Sequence, residues 1–362
     1  MQSDGSSALI YRWPFKLLTA IQLMFAIRLP AKKRACQSSK IFFVIHNKNH
    51  TMIFHRLASI IANAGNPIAF VTIDGHRLEE QSRKALAELN LPAIRLLDMA
   101  HEVTSGDVIC VGNDWSPKKL LSVLSQVRKR GVTIAGVVEG ARFLRKGYYK
   151  NVDHLLCWGP SGLDINAKET TIVGSPAIEA AAQRGNTCSS NTVRILINYK
   201  KSNATDDPDF AWGKTTIEAA RAVDPNFMFS AHPSTRNASL DLKIHNEPFE
   251  LALSSASVVI TKASTVIFEA LASGVCVIYF PEPNEERVEF AMADGAFETA
   301  NNAQELIAHV KTHAGNPVFP QENAQRFLNK HVSMENGLSA NERTAACLIS
   351  MLHNETSSGM TQ

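Results

Sequence analysis

The 362-residue chain reads as an α/β protein built from two Rossmann-type parallel-sheet domains that face a central cleft. Three observations predict this. Short, continuous apolar runs rich in β-branched residues alternate with helical segments of about ten to fifteen residues, the pattern of strands buried on both faces. The alternation stops once, at the small polar stretch 184–191, and then restarts. The length exceeds one ordinary domain and suits two of roughly 150 residues each.

The first cycle opens with a strand at Ile41–Ile45, a polar loop over 46–50, and helical spacing from Met52 to Ala64, stopped at Gly65. Strands follow at Ile68–Ile73, Ile94–Leu97, Val108–Val111 and Val132–Val138, with helices at Leu78–Leu89 and Lys118–Lys129. Shorter strands are expected at Leu155–Trp158 and Thr171–Val173, and a helix at Ala177–Gln183. After the linker the pattern resumes. Strands are expected at Val193–Asn198, Phe227–Ser230, Val258–Thr261 and Val275–Phe280, with a helix at Thr215–Ala222. The resulting division is a basic segment over 1–40, a first domain over 41–185, a second over 192–335, and a C-terminal helix and tail over 336–362.

The net charge of +3 is unevenly spread. Residues 1–40 carry seven basic side chains against Asp4 alone, which makes +6 and leaves the body at −3. A slightly acidic body disfavours nucleic acid as a partner. The six cysteines are scattered without a C-x-x-C pair, so a zinc site or disulfide framework is not expected, and a reducing, cytoplasmic setting fits. The uncharged stretch Leu17–Ile27 is too short for a hydrocarbon core that needs about 20 helical residues. With Trp13 and Phe15 before it and Lys32-Lys33-Arg34 after it, the region 8–34 suits a helix lying in the inner face of a plasma membrane, or a leader that packs on the body.

Ligands of such sheets bind beyond the carboxyl ends of the strands, so those loops hold the candidate site. The strongest signal is the run from Val258 to Phe280: a buried strand ends at Thr261, Ser264 and Thr265 open a helix, and Gly274 closes it. A helix start with hydroxyl caps offers free N–H groups and a positive dipole end to a phosphate. Glu269, one turn in, could accept hydrogen bonds from ribose hydroxyls or simply lie on the surface. A second strand ends in His232-Pro233, where an imidazole could donate to phosphate or only cap the strand. A third runs into Glu139-Gly140, where a cleft carboxylate could take a proton from an acceptor hydroxyl or pair with Arg142 or Arg145. His46, Asn47 and His50 after the first strand, Arg142, and Lys200 and Lys201 after the first strand of the second domain are further candidates for substrate or phosphate contact. Asp206-Asp207-Pro208-Asp209 imitates an acidic metal motif but lies in a polar loop.

These stretches carry a resemblance. Residues 247–283 look like the donor half of GT-B transferases, especially capsule-polysaccharide and CDP-glycerol glycerophosphotransferase types, and are similar to UDP-N-acetylglucosamine 2-epimerases. The His232-Pro233 pair resembles the His-Pro motif of CMP-sugar and CDP-glycerol transferases. The 137–147 stretch resembles the epimerase His-Val-Glu-Ala-Gly-Leu-Arg run with Gly140-Ala141 reversed, and the CDP-glycerol loop with Glu139 in place of histidine. The resemblance implies a GT-B-like fold and a transferase using a nucleotide-activated donor, with a cytidine nucleotide favoured, to build a cell-surface glycan or lipid-linked saccharide. Glu139 and His232 would then be catalytic, and Ser264, Thr265, Glu269 and Lys200 would bind nucleotide and phosphate. His46, Asn47 and Arg142 would contact substrate. No metal or cofactor is expected. An epimerase-like isomerase and a non-catalytic nucleotide-sugar-binding module are the alternatives.

Overall fold

In a computed structural model, the described residues are 39–358 apart from 77, 115–116, 144–146, 166, 189–192, 200–210, 232–246, 284, 286–287, 316 and 336. The segment 8–34, the acidic run 206–209, Arg145, Lys200, Lys201 and His232 therefore lie outside the described residues.

The first half alternates β1 (Ile41–Ile45), α1 (Lys48–Asn63), β2 (Ile68–Thr72), α2 (Glu79–Glu88), β3 (Ala93–Arg95), α3 (Leu96–Glu102), β4 (Val108–Val111), α4 (Lys118–Arg128) and β5 (Thr133–Val137). It continues through β6 (His154–Cys157), β7 (Glu169–Ile172) and α5 (Pro176–Arg184). The seven strands pair in the order β3-β2-β1-β4-β5-β6-β7, all parallel. Order reverses between β1 and β4, which opens a crevice at their carboxyl ends.

The second half runs β8 (Ile195–Tyr199), α6 (Ala211–Arg221), β9 (Met228–Ala231), α7 (Phe249–Ser254), β10 (Val258–Thr261), α8 (Val266–Ser273), β11 (Cys276–Tyr279) and β12 (Glu298–Thr299). Three helices close the chain: α9 (Ala303–Gly315), α10 (Gln321–His331) and α11 (Ala340–Ser358). Its five strands pair in the order β12-β11-β10-β8-β9, again all parallel, with the reversal between β8 and β10. The fold is thus the α/β pair of parallel sheets that the alternation predicts.

Four central strands are wholly buried, as continuous apolar runs require: every residue of β1, β4, β10 and β11 is buried. The Cys110 and Cys276 thiols sit in these strands, and burial pushes both above the usual thiol range. The two halves share one apolar cluster in which Trp158 after β6 meets Phe268 of α8, ring centroids 6.2 Å apart. Ser273 of α8 donates to Ala181 O of α5 at 3.1 Å. The stretch expected as a linker is itself tied down: Thr187 N donates to Ser254 O at 2.8 Å and Asn186 Nδ2 to Gly274 O at 3.2 Å.

The C-terminal helix α11 packs against α1. Ala345, Leu348, Met351 and Leu352 of α11 pack in one cluster with Phe54, Leu57, Ala58 and Ile61 of α1. Among the described residues no helix is long and apolar enough to cross a membrane.

Candidate functional site

The carboxyl edge of the first sheet gathers polar groups from four loops. Asn47 caps α1: its Oδ1 accepts the His50 N–H at 3.1 Å. The helix therefore begins at Lys48, four residues before the apolar spacing starts, and His50 lies in its first turn rather than in a loop. His50 is 1% exposed, and its ring lies over Gly112 after β4. A Cβ at Gly112 would come within 2.6 Å of His50 Nε2, so only glycine admits the ring there.

His50 Nε2 is bonded to Oε2 of Glu139, which follows β5 with a side chain 12% exposed. The partner of Glu139 is thus His50, while Arg142 is exposed on the following turn. His50 Nδ1 meets the backbone N–H of His46 at 3.3 Å. The His46 ring turns the other way, with Nδ1 2.7 Å from the Asn113 amide and Nε2 3.1 Å from His76 Nε2. Burial, reinforced by the neighbouring His50 and His76, lowers its pKa to about 4, so His46 is a neutral group at physiological pH.

The facing edge is the turn from β10 into α8. Ser264 Oγ accepts the Val266 N–H at 3.3 Å, a local cap on the helix start. Thr265 does not cap; its Oγ1 reaches across and accepts the Ala141 N–H at 3.2 Å. That bond sets the Glu139-Gly140-Ala141 loop of the first sheet against the first turn of α8. The loop that carries Glu139 and the N-terminus of α8 therefore lie side by side. Lys262 is buried beside this turn, paired with Glu282 and 5.1 Å from the centroids of the Tyr199 and Trp212 rings. Glu285 Oε1 accepts the Ala263 N–H at 3.1 Å.

Glu269 lies four residues beyond Thr265 and four before Ser273, both of which hydrogen-bond to the first half. It is half-buried, near Glu250 of α7 and Arg184 of α5. Burial, with Glu250 adding and Arg184 opposing, raises its pKa to about 7. The unfolded carboxyl titrates near 4.5, so the native state prefers the proton, and the cost of ionising Glu269 grows from about pH 4.5 to about pH 7. Glu269→Gln should therefore stabilise the protein by about 1–3 kcal/mol at pH 8 and by nothing measurable at pH 4.5. Urea unfolding at the two pH values checks this. An equal effect at both would show that the carboxyl does not titrate as a buried group.

Of the sequence candidates, Thr265 bonds the loop of Glu139 across the two halves, His50 holds Glu139, Ser264 caps α8, and Glu269 lies one turn further along α8. Asn47 is used as a helix cap, and His46 binds Asn113 and His76. His76, Asn113 and Gly112 were not singled out by sequence, although each lies within a few residues past a strand end. Lys262 and Glu282 were also missed; a lysine closing the apolar run Val258–Thr261 was the available signal. Among the described residues no group of three or more His, Cys, Asp or Glu side chains converges as metal ligands would.

No protein-family model matches the chain, and no curated protein matches it in sequence. Solved structures do match its fold. The wall teichoic acid polymerase TagF superposes with a TM-score of 0.60 at 12% identity, covering 95% of this chain and 98% of that one. MurG of Acinetobacter baumannii gives 0.55 at 12% identity, covering 86% and 99%. A UDP-N-acetylglucosamine 2-epimerase gives 0.56 at 12% identity, covering 90% and 98%. The architecture is GT-B-like, a fold that glycosyltransferases, the TagF polymerase and the epimerases share.

Proposed function

We propose that this chain is a GT-B transferase that moves a sugar or a polyol phosphate from a nucleotide-activated donor to an acceptor hydroxyl of a glycan or lipid-linked saccharide. One observation carries the proposal: the Ala141–Thr265 bond sets Glu139 against the N-terminal turn of α8. Among the described residues the backbone N–H groups of Ser264 and Thr265 make no hydrogen bond, which leaves two donors for an anionic group. We assign phosphate binding to this turn and ribose binding to Glu269. Glu139 is the general base. His232 and Lys200 come directly after β9 and β8 in the sequence and are assigned to the donor phosphates, His232 from the sequence resemblance and Lys200 from its position in the chain. His46, Asn47 and Arg142 keep a supporting place on the acceptor side. On this reading residues 41–185 form the acceptor domain and 192–335 the donor domain.

A cytidine nucleotide is the favoured donor. The His232-Pro233 resemblance points to it, and a histidine-to-asparagine variant of TagF, a neighbour in fold, was solved after soaking with CDPG. A thermal-shift screen of the whole chain against CMP, CDP, UDP and GDP tests the reading. Ligand at 100 times its dissociation constant stabilises by about 2.7 kcal/mol, so a selective rise in Tm should identify the nucleotide. Because ribose hydroxyls bind the ionised carboxylate, affinity should rise from pH 6 to pH 8, and Glu269→Gln should abolish that rise. A flat screen would sink the proposal.

A further inference from the structure

We propose that His50 is the positioning residue of this centre: a neutral imidazole that holds the Glu139 carboxylate through Nε2–H and takes no proton from the acceptor. The inference rests on the reading of Glu139 as general base, and goes beyond it by dividing the roles within the pair. The division follows from what the two ring nitrogens face. The His46 backbone N–H donates to Nδ1, so Nδ1 must keep its lone pair. A neutral imidazole has one N–H, which then sits on Nε2 and points at Glu139 Oε2. An imidazolium would have to donate from both nitrogens and would lose the His46 bond.

The surroundings restrain the ring. Asn47 fixes the His50 backbone, the Gly112 backbone lies under the ring, and the Phe54 ring stands 5.7 Å away. Gly112 is held in turn: its carbonyl accepts from the hydroxyl of the fully buried Tyr149 at 2.9 Å. Oε2 of Glu139 is thereby committed to His50, and among the described residues Oε1 makes no hydrogen bond. Oε1 is the atom left to act. In the transfer, the acceptor O–H bond breaks and its proton goes to Oε1. The acceptor oxygen bonds to the donor's carbon or phosphorus, and the nucleotide phosphate leaves with the electron pair. The Nε2–H bond is unchanged throughout, and Glu139 later loses its proton to solvent.

The experiment needs no substrate. Imidazole ¹⁵N spectra of the full chain at pH 7, with His50→Gln to identify the signals, should show a neutral His50 protonated on Nε2 alone. An imidazolium, or an Nδ1–H tautomer, overturns the proposal. Carboxyl ¹³C titration then tests positioning itself. Loss of a donor to the ionised form should move the Glu139 midpoint up by about one pH unit in His50→Leu. His50→Gln, whose amide N–H can reach Oε2, should move it by less, and the tautomer measurement stands alone if the leucine variant does not fold. A midpoint unchanged in His50→Leu makes His50 a packing residue only. These outcomes are independent of turnover. Failure of Glu139 as base would show in the rate of Glu139→Gln and leave the tautomer and the titration as they are.

Discussion

Replacing Glu139 with glutamine should lower turnover by about 10² to 10⁴-fold, the usual contribution of a positioned general base. Glutamine keeps the shape of the side chain and an acceptor oxygen for His50 Nε2–H, but cannot take a proton. The loop carrying it stays bonded to Thr265 through the Ala141 N–H, which the substitution does not touch. Nucleotide affinity and melting temperature should therefore change little. Rate and Tm are to be measured on one preparation, with the nucleotide donor that the thermal screen selects. A folded Glu139→Gln variant with undiminished turnover would remove Glu139 from the mechanism. A lower Tm with normal turnover of the folded fraction would make the His50–Glu139 pair a structural one.

The sheets were legible because a strand buried on both faces must be apolar throughout, and such runs as Ile41–Ile45 and Val258–Thr261 announce themselves. Glu139 was legible for the same reason, as the first charge after an apolar strand. His50 was harder to place. The apolar spacing of α1 begins at Met52, but the helix begins at Lys48 with a polar first turn, and Asn47, three residues before His50, was the cap that marks it. The end of β3 was misjudged as well. Ile94–Leu97 reads as one strand, yet the chain turns at Arg95 and α3 begins at Leu96. Leu96, Met99, Ala100 and Val103 are all buried at helical spacing, a pattern the sequence contained. The pairings themselves were not legible. His50 meets Glu139 across 89 residues and Ala141 meets Thr265 across 124, and no local pattern encodes such a contact. Glu269 shows the same limit, since its raised pKa depends on burial in the tertiary fold, with Glu250 and Arg184 nearby.

Removal of the Glu179 carboxylate should destabilise the chain by about 3–5 kcal/mol, because it leaves a largely buried guanidinium without its counter-charge. Glu179 of α5 and Arg343 of α11 pair at 2.6 Å with side chains only 15% and 12% exposed. Arg343 also donates to Val173 O at 2.9 Å and to Leu338 O, and Glu179 Oε2 accepts the Ala340 N–H at 2.7 Å at the start of α11. Gly174 lies under the guanidinium at φ +81°, and a Cβ there would come within 2.4 Å of Arg343 Nη2. The pair thus anchors the helix that returns from the second half to the first. Its consequence reaches the site, because α11 packs on α1, whose first turn holds His50. Glu179→Ala should therefore lower the unfolding free energy and also speed amide exchange in α1 relative to the second sheet. Arg343→Met added to Glu179→Ala should recover part of the loss, since no charge is then left buried. Urea unfolding of the two singles and the double completes the cycle. Additive losses, or a cost below about 1 kcal/mol for Glu179→Ala, would mean that solvent screens the pair and that apolar packing alone holds α11 against α1.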